Sequence, residues 1–190
     1  MKLQDRLPEG VTVDGKFYRM DFDFRNVLKM MEIIDSENLM PGAKAYNALR
    51  CLCKRPKNVF KVLEAVKGLL FEKSHKTGRK VTDFVQDAGL IRAAFRQTYG
   101  IDLYRQRLHY LEFIELLSAI PEGTRYSDVI GIRARQIPEP TKWNRKEREW
   151  LIQAKADVAL KMEEKDQAER YRQDVNEIAA MLISIAKGSE

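Results

Sequence analysis

The chain has 190 residues, 44% hydrophobic and 33% charged, with a formal net charge of +6, ten Gly, six Pro and two Cys. That apolar share supports a core and excludes global disorder, and so little Gly and Pro favours helix over a turn-rich sheet. The lone pair Cys51 and Cys53, the lack of an apolar run near the roughly 18 residues of a membrane span, and a polar opening from Met1 to Arg6 lead us to expect a soluble intracellular protein without disulfides.

Val11 to Met20 predicts a β-hairpin, because Asp14-Gly15 suits the two positive-φ positions of a type I′ turn. A lone hairpin is marginal in water, so it must rest on something. Phe24, Val27, Leu28, Met31 and Ile34 then share one helical face, with Asp23 or Asp21 able to cap its start. Asn38 to Gly42, with Pro41 inside it, reads as a break. Ala45, Leu49 and Leu52 line a short helix that ends near Pro56, and residues 58–72 make another with Val59, Leu63, Val66 and Leu70 inward.

The charge is concentrated around this last helix. Residues 54–80 carry nine basic and two acidic residues, so +7 lies there and the rest of the chain carries −1. Such clustering, including Lys73, Lys76, Arg79 and Lys80 in the loop at 74–80 and just before it, fits a phosphate backbone through counterion release. It fits better a solvated helix face running into a basic surface loop. Nucleic-acid modules interleave stacking aromatics, whereas Phe60 and Phe71 both fit the apolar stripe of the helix. Nucleic-acid binding is therefore the alternative reading rather than the first.

Phe84, Ala88, Ile91, Phe95 and Tyr99 trace a buried helix, stopped by Gly100 with Ile101 available for the hydrophobic contact that follows such a stop. Leu108 to Ile120 is apolar nearly all round and predicts a central helix ended by Pro121-Glu122-Gly123. Tyr110, Phe113, Ile114 and Leu117 on it are either core or a candidate partner-binding face. Ser127 can cap a short turn through Val129 and Ile130. Residues 137–142 hold two prolines and read as a linker between a domain at 1–136 and a segment at 143–190.

From 143 to 187 there is no Pro or Gly, which predicts one long helix. Trp150, Ala154, Val158 and Met162 recur at strict i+4. Tyr171, Val175, Ile178, Leu182 and Ile185 then form an a/d seam of about two heptads, able to take a partner, a second copy or the chain's own domain. The fold class expected is mostly α: a helical domain with an N-terminal β-hairpin and a long C-terminal helix.

Chemistry-bearing motifs are missing. The glycines never approach GxGxxG or GxxxxGK[ST] spacing, and neither a GxSxG elbow nor HExxH occurs. His75 and His109 could form a zinc site only with Cys51 and Cys53, whose spacing points them to different sides of a helix. His109 reads as a hydrogen-bonded core or interface residue, and Glu112 and Glu115 as solvated flanks. No enzyme, cofactor or metal is expected.

Residues 83–134 carry a more specific pattern: Asp87, Ile91, Ala94, Phe95, Tyr99 to Leu103, Leu108 to Tyr110, Phe113, Leu116, Pro121, Thr124, Ile130, Gly131 and Arg133. With Leu7-Pro8, Val11 to Gly15, Tyr18 and Phe24-Arg25, they resemble a family of small bacteriophage proteins encoded in the tail module of siphophages and prophages of Gram-positive bacteria, next to the tape-measure gene. The resemblance covers about residues 7–135. It implies a tail assembly chaperone that binds the tape-measure protein, helps tail-tube subunits polymerise around it, works in the host cytoplasm and is left out of the virion. It implies no catalytic residues. Tyr110 and Leu111 stand where the family usually has paired tryptophans, and the loop at 74–80 and the helix after 143 look longer than its norm.

Overall fold

The computed structural model describes residues 4–71 and 81–161. Among them are two strands, β1 (Gly10–Val13) and β2 (Lys16–Arg19), and seven helices. The helices are α1 (Phe24–Asp35), α2 (Pro41–Leu52), α3 (Val59–Phe71), α4 (Ala88–Tyr99), α5 (Tyr110–Ser118), α6 (Arg125–Ala134) and α7 (Arg145–Asp157). The fold is mostly α, with one antiparallel hairpin. The chain divides into two compact units, Met1–Arg135 and Gln136–Glu190.

The hairpin turns where the Asp-Gly pair demands it, with φ of 50° at Asp14 and 72° at Gly15, and Val11 stands opposite Tyr18. Its β1 strand rests on α3, which supplies the support a lone hairpin lacks. Asp23 caps α1 by accepting from the Arg25 N–H at 3.1 Å. Phe24, Val27 and Met30 form the buried line of α1, with Leu28, Met31 and Ile34 only partly buried. Packing against both α2 and α5 turns the helix toward Met30 rather than Met31.

Pro41 opens α2 instead of marking a gap before it. At the first helical position its missing N–H is one that no turn would have satisfied. On α3, Val62, Leu63, Val66 and Leu70 are buried, while Phe60 is 58% exposed and so departs from the expected stripe. Phe71 does turn inward, edge-on to Tyr110 at 5.7 Å.

Helix α4 ends as its sequence predicts. Gly100 adopts a left-handed φ of 68°, its N–H reaching the Arg96 and Phe95 carbonyls, and the Ile101 N–H bonds Phe95 O at 3.3 Å. Phe84 lies in the turn before the helix rather than on it. Helix α6 is capped by Thr124, not Ser127. The Thr124 hydroxyl accepts from the Ser127 N–H at 3.1 Å, and the Ser127 hydroxyl accepts from the Thr124 N–H at 3.2 Å. Ser127 is thus the third helical residue of a reciprocal capping box.

Helix α5 is shorter and less buried than its composition suggests. Only Tyr110 and Phe113 are buried; Leu111, Ile114, Leu116 and Leu117 are half-buried. Phe113 stacks between Phe24 (4.6 Å, 13°) and Phe95 (5.3 Å, 17°), which ties α1, α4 and α5 together. Backbone bonds reinforce the junction: Phe24 N–H to Leu108 O at 3.0 Å and Tyr110 N–H to Phe22 O at 2.8 Å. The Asp21 N–H reaches Leu52 O at 2.8 Å.

In the second unit, Asn144 organises the approach to α7. It accepts from the Thr141 N–H at 2.8 Å and donates to Glu139 O at 2.9 Å, and Arg148 donates to the Pro138 carbonyl. The expected helix from 143 to 187 is not continuous here. Helix α7 is capped at Val158, and residues 158–161 are non-helical. Asp157, which competes for backbone hydrogen bonds, and β-branched Val158 are poor helix formers at that point. Leu151 is the buried residue of α7, whereas Trp150 of the expected i+4 stripe is 56% exposed. Residues beyond 161 lie outside the described part.

Candidate functional site

In the first unit, α1, α4, α5 and the 101–107 loop enclose an apolar cleft of about 260 Å³. Phe24, Ile91 and Phe113 are its buried lining, Leu28, Phe84 and Ala88 its half-buried walls, and Arg25, Arg92 and Tyr104 its mouth. Arg25 arises one residue into α1 and is already committed. It donates to Leu103 O at 2.9 Å and Gln106 O at 2.6 Å, and pairs with Asp23 at 3.3 Å. Arg92, on the outer turn of α4, lies over the Tyr104 ring at 4.7 Å. Asp102 fixes the loop that carries Tyr104, accepting its N–H at 3.0 Å and pairing with Arg96 at 2.5 Å. The Tyr104 N–H, and then Arg96, hold the Asp102 carboxyl below its ordinary range. Among the described residues no carboxylate lines the cleft, so it is an apolar hollow with a cationic rim.

Two ion-pair clusters frame this unit. Arg133 of α6 grips the buried Asp87 with two bonds, 2.7 and 3.0 Å, and also donates to Val81 O at 3.0 Å. Asp87 further accepts the Asp83 N–H at 2.9 Å. In the second cluster, Arg107 meets both Asp21 oxygens at 2.7 Å and Asp23 at 3.1 Å. Beside it, His109 caps α5. The Leu111 N–H donates to Nδ1 at 3.2 Å, which assigns the proton to Nε2 and makes that nitrogen the donor to Pro8 O at 3.0 Å. Burial pushes the imidazole below its ordinary range, and the geometry keeps it neutral.

The sequence model of the family described as Bacteriophage Gp15 protein matches residues 3–160. The chain belongs to that family. No curated protein and no solved structure matches it. The family match runs past the first unit and takes in α7, beyond the residue 135 at which the resemblance in the sequence ended.

Within this Gp15-family chain, the signature residues are framework. Ile91, Ala94, Phe95 and Phe113 are core, Asp87 and Arg133 pair, and Thr124 caps a helix. The Tyr99 hydroxyl donates to Leu116 O at 2.8 Å, joining α4 to α5. Of the candidate partner-binding residues on α5, Tyr110 and Phe113 are buried in the core, and Phe113 also lines the cleft. Burial pushes the Tyr110 phenol up to about 12. Ile114 and Leu117 remain half-exposed. Tyr171, Val175, Ile178, Leu182 and Ile185 of the seam, and Lys73, Lys76, Arg79 and Lys80 of the basic patch, lie outside the described residues.

The basic segment's described part is partly spent: Lys61 pairs with Asp14 at 2.8 Å and Lys67 with Glu64 at 3.0 Å. Among the described residues no group of His, Cys, Asp and Glu could hold a metal ion, and no helix is long and apolar enough to cross a membrane. The cleft itself was missed at the sequence level. Its residues come from three helices, the turn before α4 and a loop, and the only local signal was Tyr104-Arg105, polar and aromatic, inserted between two buried leucines, Leu103 and Leu108.

Proposed function

We propose that this chain is a non-enzymatic tail assembly chaperone that holds the tape-measure protein soluble in the host cytoplasm and promotes tail-tube assembly around it. Its membership in a bacteriophage family supports the setting, and the resemblance over residues 7–135 supports the role. The observation that carries the reading is the cleft. Beside the stacked Phe24, Phe95 and Phe113 an apolar hollow stays open. At about 260 Å³ it is below the ~300–1,000 Å³ usual for small-molecule sites, and suits an anchor side chain of a docked helix.

Co-expression with the tape-measure protein of the same genome, followed by pull-down at high salt, tests the reading. The tape-measure protein is expected to be soluble only with this chain and to co-purify with it. Equal insolubility alone and together would sink the chaperone role. The alternative, nucleic-acid binding by the basic segment at 54–80, predicts binding that collapses between low and moderate salt, whereas burial of apolar faces survives it.

A further inference from the structure

We propose that the cleft bordered by α1 and α4 is a socket for one apolar side chain of an acidic amphipathic helix, and that Arg92 receives a carboxylate one turn from that anchor. The identity of the partner, the tape-measure protein, rests on the chaperone reading; the chemistry of the socket does not. The walls are apolar, and among the described residues the charges lining the mouth are of one sign, Arg25 and Arg92.

The two arginines are not equivalent. Arg25 spends its donors on two carbonyls and on Asp23. Arg92 lies over the Tyr104 ring at 4.7 Å and has no carboxylate partner among the described residues. A guanidinium over a ring can still offer its N–H donors to a bidentate acceptor. Tyr104, 71% exposed on a loop that Asp102 pins, offers a rigid aromatic surface of the kind that dominates binding energy. On a helix, residues three or four apart lie about 5–6 Å from each other between Cβ atoms, so one face can fill the hollow and reach its rim together. An apolar ligand without a carboxylate leaves Arg92 unanswered, and a basic helix is repelled.

The test uses the full-length chain and two labelled synthetic helices, one with a Leu anchor and Glu four residues away, the other with Lys in place of that Glu. Peptides tiling the tape-measure protein of the same genome form a third arm. Wild type should bind the Glu helix at least about tenfold more tightly than the Lys helix, and Arg92→Glu should invert that preference. Ala88→Trp, which fills the hollow, should lose both. Should that variant melt early, Tyr104→Ala, which removes an exposed ring, reads the mouth without touching the core.

Equal binding of the two helices, or indifference to all three substitutions, overturns the socket. Tape-measure peptides that bind regardless of the substitutions overturn the socket and leave the chaperone reading standing. The Glu helix binding as expected while no tape-measure peptide binds leaves the socket and removes the partner. Self-association of the chain that excess Glu helix and Ala88→Trp both abolish would make the occupant a second copy and overturn the proposal.

Discussion

The Asp87–Arg133 pair and the Asp21–Asp23–Arg107 cluster do the same topological task in opposite surroundings. Each joins segments far apart in the sequence, α4 to α6 in one case and the start of α1 to the approach of α5 in the other. The first is closed to solvent, with side chains 2% and 12% exposed. In the second, Arg107 is 68% exposed and only Asp23 is buried. A cut in the closed pair leaves a charge that water cannot reach, whereas a cut in the open cluster lets water and Arg25 take over. Burial, more than the number of bonds, decides how far each can be disturbed.

The sharpest way to break this comparison is to delete one arginine from each. Arg133→Met should cost about 3–5 kcal/mol by leaving Asp87 uncompensated, and replacing Asp87 with Leu in the same chain should recover much of that loss. Arg107→Gln should cost clearly less, since Asp23 keeps Arg25. Urea midpoints of the three variants decide the matter; equal losses for the two arginines would erase the distinction.

A smaller effect comes from His109, next to the open cluster. Its folded pKa lies below the unfolded value, so the unfolded chain binds more protons in between. The stabilisation is complete above about pH 6.5, the unfolded value, and declines as pH falls from there toward the folded pKa. His109→Asn keeps a capping acceptor without a titrating ring, so its stability should fall less than wild type between pH 7 and pH 5. Parallel curves would show that the ring's neutral state contributes nothing. Smallest is Thr124→Ala, which removes one half of the capping box at the start of the helix that carries Arg133. It should lower stability by about 1 kcal/mol in thermal melts, with no dependence on pH over the same range.

The parts of the fold that were legible in advance are those written locally. Asp14-Gly15 specifies its turn, Gly100 its helix stop, and Leu63, Val66 and Leu70 their face, because neighbouring residues alone settle the matter. What was not legible depends on distant partners or on position within an element. Pro41 reads as a breaker until it is seen at the first turn, and Ser127 as a cap until Thr124 is seen taking its N–H. The all-round apolar α5 could not reveal that its buried line is Tyr110 and Phe113, because that depends on Phe24 and Phe95 arriving on either side. The pairing of Asp87 with Arg133, 46 positions apart, leaves no periodic trace. The cleft is harder still, since a hollow is defined by atoms that do not meet.

The backbone junction between Phe22–Phe24 and Leu108–Tyr110 has a consequence for synthesis on the ribosome. Asp23 emerges 84 residues before Arg107, at translation speeds of about 5–20 residues per second a delay of roughly 4–17 s. During that interval the hairpin and the first three helices must wait with Phe24 uncovered and Asp23 without its distal arginine. The nascent amino-terminal half therefore carries an uncovered apolar ring until the arrival of Phe113 closes it.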